Sequence, residues 1–155
     1  RVYAVAQLLN SAGLPTRLTG ALDKMVWQKL AANSGINPLT ALLQITNGEL
    51  LARPNAEALM FTAAKETAAV AKAKGVNLPL DTPHRVREIA RATAENYSSM
   101  YQDVLRGAPT EIESINGAIV REAAALHVPV PLNNILAQLI RASIQSSINC
   151  VPDAP

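Results

Sequence analysis

Lys29, Asn33 and Asn37 stand four residues apart along the chain. On an α-helix, at about 100° and 1.5 Å per residue, they fall within about 80° of arc and about 12 Å of length. One face then carries an ammonium and two amides. Leu30, Ala31, Ile36 and Leu39 point along other azimuths, so the polar row adjoins an apolar stripe instead of completing a charged surface. Such a row can line a cleft: a lysine stabilises developing negative charge on an oxygen and supplies a proton to it, while neutral amides satisfy hydroxyl and carboxylate groups. The same spacing also describes a solvated helix face, with Asn37 capping ahead of Pro38, and spacing alone favours that plainer reading.

Other candidates are ambiguous on local grounds. Asn47-Gly48-Glu49 is first of all a turn signal. Ser98-Ser99, before Met100 and Asp103, reads as a helix cap. Thr110 and Glu113 have the spacing of a capping box, which leaves Glu111 in the first turn with no task beyond favouring the helix dipole. Trp27, with Met25 and Leu30, reads as core or interdomain packing, and His84 and His127 as surface or helix-end residues. Cys150 is the one cysteine and the histidines are far apart, so no intramolecular disulfide and no zinc spacing can be assembled. GxGxxG, Walker, HExxH and GxSxG motifs do not occur.

The elements that must position these residues are helical. Alanine-rich segments with apolar residues at three- and four-residue spacing recur throughout, and no alternation lasts long enough to argue a strand in a sheet. The fold class expected is all-α. Residues 1–12 read as a short helix stopped by Gly13-Leu14-Pro15, and 16–20 as a connector that could carry a short extended piece. A long helix is expected from 21 to 36, kinked at Asn37-Pro38 and resuming over 39–43. Further helices are expected over 54–73, ended by Gly75 in the left-handed conformation, 82–96, 100–105, 110–126 and 132–146. Val128-Pro129-Val130-Pro131 cannot be helical inside.

A chain of 155 residues with 49% hydrophobic and 17% charged residues has the composition of one compact domain, far from that of disorder. Its net charge of +2 is dispersed and aromatics are 3%, which disfavours nucleic acid as a partner. No run approaches the roughly 18 apolar residues of a membrane span. Together with the lone cysteine, these features point to a reducing, cytoplasmic setting. The chain begins at Arg1 inside an apolar pattern, Val2, Val5, Ala6 and Leu9, and is expected to be part of a longer protein.

In order, the segments Trp27-Gln28-Lys29-Leu30-Ala31-Ala32-Asn33, Ile36-Asn37-Pro38-Leu39-Thr40-Ala41-Leu42, Asn47-Gly48-Glu49-Leu50, Asn96-Tyr97-Ser98-Ser99-Met100, Thr110-Glu111-Ile112-Glu113, Ile115-Asn116-Gly117 and Val130-Pro131-Leu132-Asn133 resemble the C-terminal helical domain of the ketopantoate reductase family. They span nearly the whole chain, and their ordered set is specific where any one is weak. The resemblance implies a helical bundle like the C-terminal domains of 6-phosphogluconate dehydrogenase-like reductases. Residues 1–20 would be a connector and residual helix from an N-terminal dinucleotide-binding domain, 21–148 the substrate-binding domain and 149–155 a loose tail.

It further implies an NADPH-dependent oxidoreductase of pantothenate biosynthesis whose site lies in the cleft between a Rossmann domain and this one. Lys29 would be the general acid; Asn33, Asn37 and Asn47 would hold substrate oxygens; Asn96 and Ser99 would reach the carboxylate side. Glu111 would orient the nicotinamide ribose or a substrate hydroxyl. The expected partners are a small 2-keto acid, the Rossmann domain and, through the apolar helix faces, a second copy. A non-catalytic dimerisation or interaction module, and a related reductase for another 2-keto acid, remain as alternatives. They separate from the first reading on whether Lys29, Asn47, Ser99 and Glu111 point into one open cleft.

Overall fold

The computed structural model describes residues 1–148, with side chains up to residue 144. The tail expected to be loose, 149–155 with Cys150, lies outside the described residues. Eight α-helices and one 3₁₀ turn make up the described chain: α1 (Val2–Ser11), α2 (Leu22–Leu43), α3 (Asn47–Leu51), α4 (Pro54–Ala73), α5 (Thr82–Ala92), α6 (Ser99–Leu105), the 3₁₀ turn Glu111–Glu113, α7 (Asn116–Ala125) and α8 (Pro131–Ile148). No strand occurs among the described residues, including the connector at 16–20.

α2 and α4 form the central pair, and α3, α5, α6, α7 and α8 pack around them. Small residues let the two backbones approach: a Cβ on Gly35 would lie 2.9 Å from the Met60 carbonyl oxygen, so only glycine fits this crossing. Buried alanines at 32, 56, 63, 64 and 90 fill the same layer with Ile36, Leu39, Leu50, Met60 and Val86. A second cluster gathers Trp27, Val70, Ile119 and Val130, and a third joins Ala41, Met100, Ile112, Ala137 and Ile140. α1 is not one of the helices paired in the bundle, and its Val2, Tyr3, Val5 and Leu8 are exposed.

The structure corrects several expectations. α2 is one helix from Leu22 to Leu43, so the break and restart expected around Asn37-Pro38 do not occur; residues 34–41 are all buried and the surrounding helices hold the turn in place. Asn47-Gly48-Glu49 is not a bare turn but the start of α3, closed by a capping box in which the Thr46 hydroxyl accepts from the Glu49 N–H and the Glu49 carboxylate accepts from the Thr46 N–H. α5 stops at Ala92 because the Ala94 and Asn96 carbonyls are taken by the Gly48 and Asn47 N–H groups, both at 3.0 Å. The expected helix start at Thr110 is a 3₁₀ turn, with α7 beginning only at Asn116. The Thr110 hydroxyl accepts from Ile112, while the Glu113 carboxylate takes a bidentate pair from Arg141 at 2.6 and 3.0 Å instead of capping. Two charge-assisted bonds outweigh one backbone contact. Of the two readings of Met25, core or interdomain packing, its exposure removes the first.

Candidate active site

α2 carries Lys29 and Asn33 on the wall of a cleft of about 630 Å³ whose other wall is α5. From α5 and its cap come Asp81, Thr82, His84, Arg85, Glu88 and Ile89. His84 stands edge-on to Phe61, with ring centroids 5.7 Å apart. The acids of this wall are already engaged: Asp81 accepts from Arg85 at 2.9 Å and Glu88 from Arg91 at 2.7 Å. The Arg85 hydrogen bond, helped by the Arg85 charge, holds the Asp81 carboxyl below the usual carboxylate range against the opposing effect of desolvation. Among the described residues Lys29 lines the cleft and has no ion pair there, the Asp81 and Glu88 carboxylates being paired with Arg85 and Arg91.

The other asparagines of the row differ from structural asparagines. Asn10, Asn116 and Asn133 spend their amide N–H groups on protein hydrogen bonds, although the Asn116 side-chain oxygen is itself buried without a donor. The side chains of Asn33 and Asn37 make none among the described residues, although Asn37 is only 7% exposed. Asn47 donates its amide to the Thr93 hydroxyl at 2.9 Å, and its side-chain oxygen is buried with no donor. A buried acceptor left so costs about 1–3 kcal/mol unless something donates to it.

Asn47 and Asn96 are brought together by the bond from the Asn47 N–H to the Asn96 carbonyl. Gly48 permits this approach, since a Cβ there would sit 2.7 Å from the Ala94 Cβ. Ser99 follows Ser98, whose hydroxyl caps α6 by accepting from the Tyr101 N–H and also accepts from Thr40 of α2 at 2.7 Å. Thr40 shares the azimuth of the polar row, so Ser99 is tied to the C-terminal half of α2. Glu111 precedes Ile112, which packs in one cluster with Ala41 of α2 and Met100 of α6. Its carboxylate has no hydrogen-bond partner among the described residues.

Convergence is therefore partial within this chain. Lys29 and Asn33 share the cleft with α5; Asn37, Asn47, Asn96, Ser99 and Glu111 are not among its lining residues but lie on segments gathered round the C-terminal half of α2. Sequence reasoning missed the α5 wall. Asp81, just before the Thr82-Pro83 start, and Arg85, Glu88 and Ile89 after it stand at helical spacing, a pattern legible in the sequence.

The family described as "Ketopantoate reductase PanE/ApbA C terminal" matches residues 21–145. The chain belongs to the ketopantoate reductase family, as its C-terminal domain. A 2-dehydropantoate 2-reductase of Pyrobaculum aerophilum is 43% identical over 91% of this chain and 50% of its own length. A ketopantoate reductase from Ralstonia eutropha superposes with a TM-score of 0.88 at 36% identity, covering 94% of this chain and 49% of that one. A D-mandelate dehydrogenase, solved with NADH and anilino(oxo)acetate, superposes with a TM-score of 0.82 at 28% identity, over 92% of this chain and 48% of its own. The chain thus spans about half the length of the relatives it matches. The helical fold expected from the periodicity is that of this family domain. Among the described residues no helix is long and apolar enough to cross a membrane.

Proposed function

We propose that this chain is the substrate-binding and catalytic half of an NADPH-dependent reductase that converts 2-dehydropantoate to pantoate in pantothenate biosynthesis. The observation that carries the proposal is the α2 row: among the described residues Lys29, Asn33 and Asn37 present an ammonium and two amides without partners, and on the neighbouring α3 the buried Asn47 oxygen lacks a donor. Side chains kept from bonding within the protein are available to a polyoxygenated ligand. A substrate hydroxyl supplies the donor that the Asn47 oxygen lacks.

Lys29 holds its ammonium at the ketone oxygen. Charge grows on that oxygen as the carbonyl is reduced, so the cation stabilises the transition state more than the ground state, and its proton completes the alcohol. Asn33 and Asn37 hold further substrate oxygens without placing a second charge beside the lysine. Asn96 and Ser99, tied to α3 and α2, reach the carboxylate side, and the open carboxylate of Glu111 accepts from a ribose or substrate hydroxyl. The described residues offer no glycine-rich turn opening a helix for a dinucleotide pyrophosphate, so Glu111 is this chain's contribution to a nicotinamide cofactor and the rest lies in a preceding Rossmann domain. NADPH, when bound, supplies the hydride. The exposed apolar residues of α1 and of the start of α2, Leu22, Met25 and Val26, suit residues 1–20 to packing against that domain or a second copy. The setting we assign is the cytoplasm.

The likeness to a D-mandelate dehydrogenase favours one second reading, a reductase of the same architecture for a different 2-keto acid. The test of the proposal is Lys29→Ala in the full-length protein. It should leave the melting transition intact and lower kcat for 2-dehydropantoate by at least about a hundredfold, the scale of a lost general acid. Unchanged turnover removes Lys29 from the mechanism, and turnover confined to another keto acid establishes the second reading.

A further inference from the structure

Proline has no backbone N–H, so Pro38 within α2 leaves the carbonyl four residues back, that of Ser34, without its helical donor. Ser34 is fully buried, out of reach of water. The donor comes from another helix: Asn116 Nδ2, at the first position of α7, lies 2.9 Å from the Ser34 oxygen. Asn116 is itself fully buried and held in place. Its Nδ2 also donates to Asn133 Oδ1 at 3.0 Å, and Asn133 Nδ2 donates to the Ala63 carbonyl and to Glu66 at 3.2 and 2.8 Å. The Glu66 carboxylate accepts in addition from the Leu132 and Asn133 N–H groups in the first turn of α8. From α4, Thr67 shares a hydroxyl hydrogen bond with Ser34 at 3.0 Å. The proline turn is thus gripped by polar side chains from α4 and α7, with Asn133 of α8 holding Asn116 from behind.

We propose that Asn116 is a positioning residue for the polar row: it gives α2 the hydrogen bond that Pro38 cannot, and so sets the direction in which the stretch bearing Lys29 and Asn33 leaves the Asn37-Pro38 turn. The proposal rests on the reading of α2 as the catalytic helix. Lys29 lies nine residues from Pro38, or about 13.5 Å along the axis, so a change of helix direction of about 4° carries it about 1 Å. A misplacement of that size costs up to about a hundredfold in rate. Asn116 touches no substrate and acts only through the helix.

The experiment is a double-mutant cycle in the full-length enzyme: wild type, Asn116→Ala, Pro38→Ala and the double variant, with kcat, KM and the melting midpoint read for each. Pro38→Ala restores an N–H to the Ser34 carbonyl and makes the Asn116 donor dispensable to α2, while its bond to Asn133 is lost equally in both backgrounds and cancels in the cycle. Asn116→Ala in the otherwise wild-type chain should lower kcat tenfold or more and change KM less than kcat. In the Pro38→Ala background the same substitution should change kcat by less than threefold. Equal losses in both backgrounds, or none in either, overturn the proposal. If Pro38→Ala is itself too slow to assay, the midpoints carry the same comparison: the drop caused by Asn116→Ala should be smaller in the Pro38→Ala background, and equal drops overturn the proposal. If Asn116→Ala does not fold, recovery of a cooperative transition in the double variant supports the role, and failure in both backgrounds refutes it. A wild type that reduces no 2-keto acid refutes the reductase reading itself, whereas an active wild type with equal losses refutes only this role for Asn116.

Discussion

Gly48→Ala sets two opposing effects against each other at the edge of the site. Alanine within α3 gains about 0.5–1 kcal/mol of helix propensity over glycine. Against this, the new Cβ would stand 2.7 Å from the Ala94 Cβ, 3.0 Å from its Cα and 3.1 Å from its carbonyl oxygen. Carbon atoms rest at about 3.5–4.0 Å, so the two segments must part by about 1 Å. That stretches the Asn47-to-Asn96 and Gly48-to-Ala94 backbone bonds, both now 3.0 Å, beyond hydrogen-bond range. Overpacking of this kind costs about 1–3 kcal/mol, and with the two backbone bonds lost as well, at about 0.5–1.5 kcal/mol each, the clash wins by at least about 1 kcal/mol. Thermal unfolding of the 155-residue chain should show a midpoint lower by about 3–6 °C. Ala94→Gly in the same chain removes the worst contact and should recover part of the loss. In the full-length enzyme KM for the keto acid should rise about three- to tenfold, because Asn47 and Asn96 move apart. A midpoint unchanged or raised by Gly48→Ala, with KM unaltered, would show that propensity prevails and that the close approach does not shape the site.

Asn33→Ala and Ser99→Ala should chiefly raise KM, since their contacts exist before the chemical step as well as during it; steady-state kinetics with a pure kcat loss would contradict the assignment. The Arg141 hydrogen bond and charge, with the more distant Arg121, hold the Glu113 carboxyl below its ordinary range. A lowered folded-state value contributes stability above the ordinary carboxylate range that is lost as pH falls through the lowered value. Wild type should therefore exceed Glu113→Gln at pH 7 by up to about 1 kcal/mol, a surface pair being screened by solvent, and the gap should close in acid; a gap independent of pH refutes the pairing. Residues 1–155 alone should unfold cooperatively yet give a flat calorimetric titration with NADPH; micromolar binding would require a cofactor site that the described residues do not display. Sedimentation at micromolar concentration should show self-association through the exposed apolar residues of α1 and α2, and a clean monomer argues against it.

Local chemistry reads well from the sequence where one cause dominates. Apolar spacing and Pro54 start α4, Gly75 with φ of +85° ends it, and Ser98 caps α6. The reading fails where a distant group makes a better offer. Glu113 leaves the capping box for Arg141; α5 frays early because its following carbonyls are claimed by α3. α3 itself is legible in the Thr46 and Glu49 spacing, but the Asn-Gly turn signal overshadows it.

Residue order suffices to show that the chain is helical and that Lys29, Asn33 and Asn37 share one face, because helix geometry makes azimuth a function of residue number alone. It does not show which asparagines are free. Asn33 and Asn116 are the same residue type on helices, yet the fold leaves one amide unpaired beside a cleft and commits the other to a carbonyl 82 positions away. A hydrogen bond between such distant positions exists only once α2 and α7 are packed, so it is the packing of the helices that selects which polar groups hold the bundle together and which remain available for chemistry.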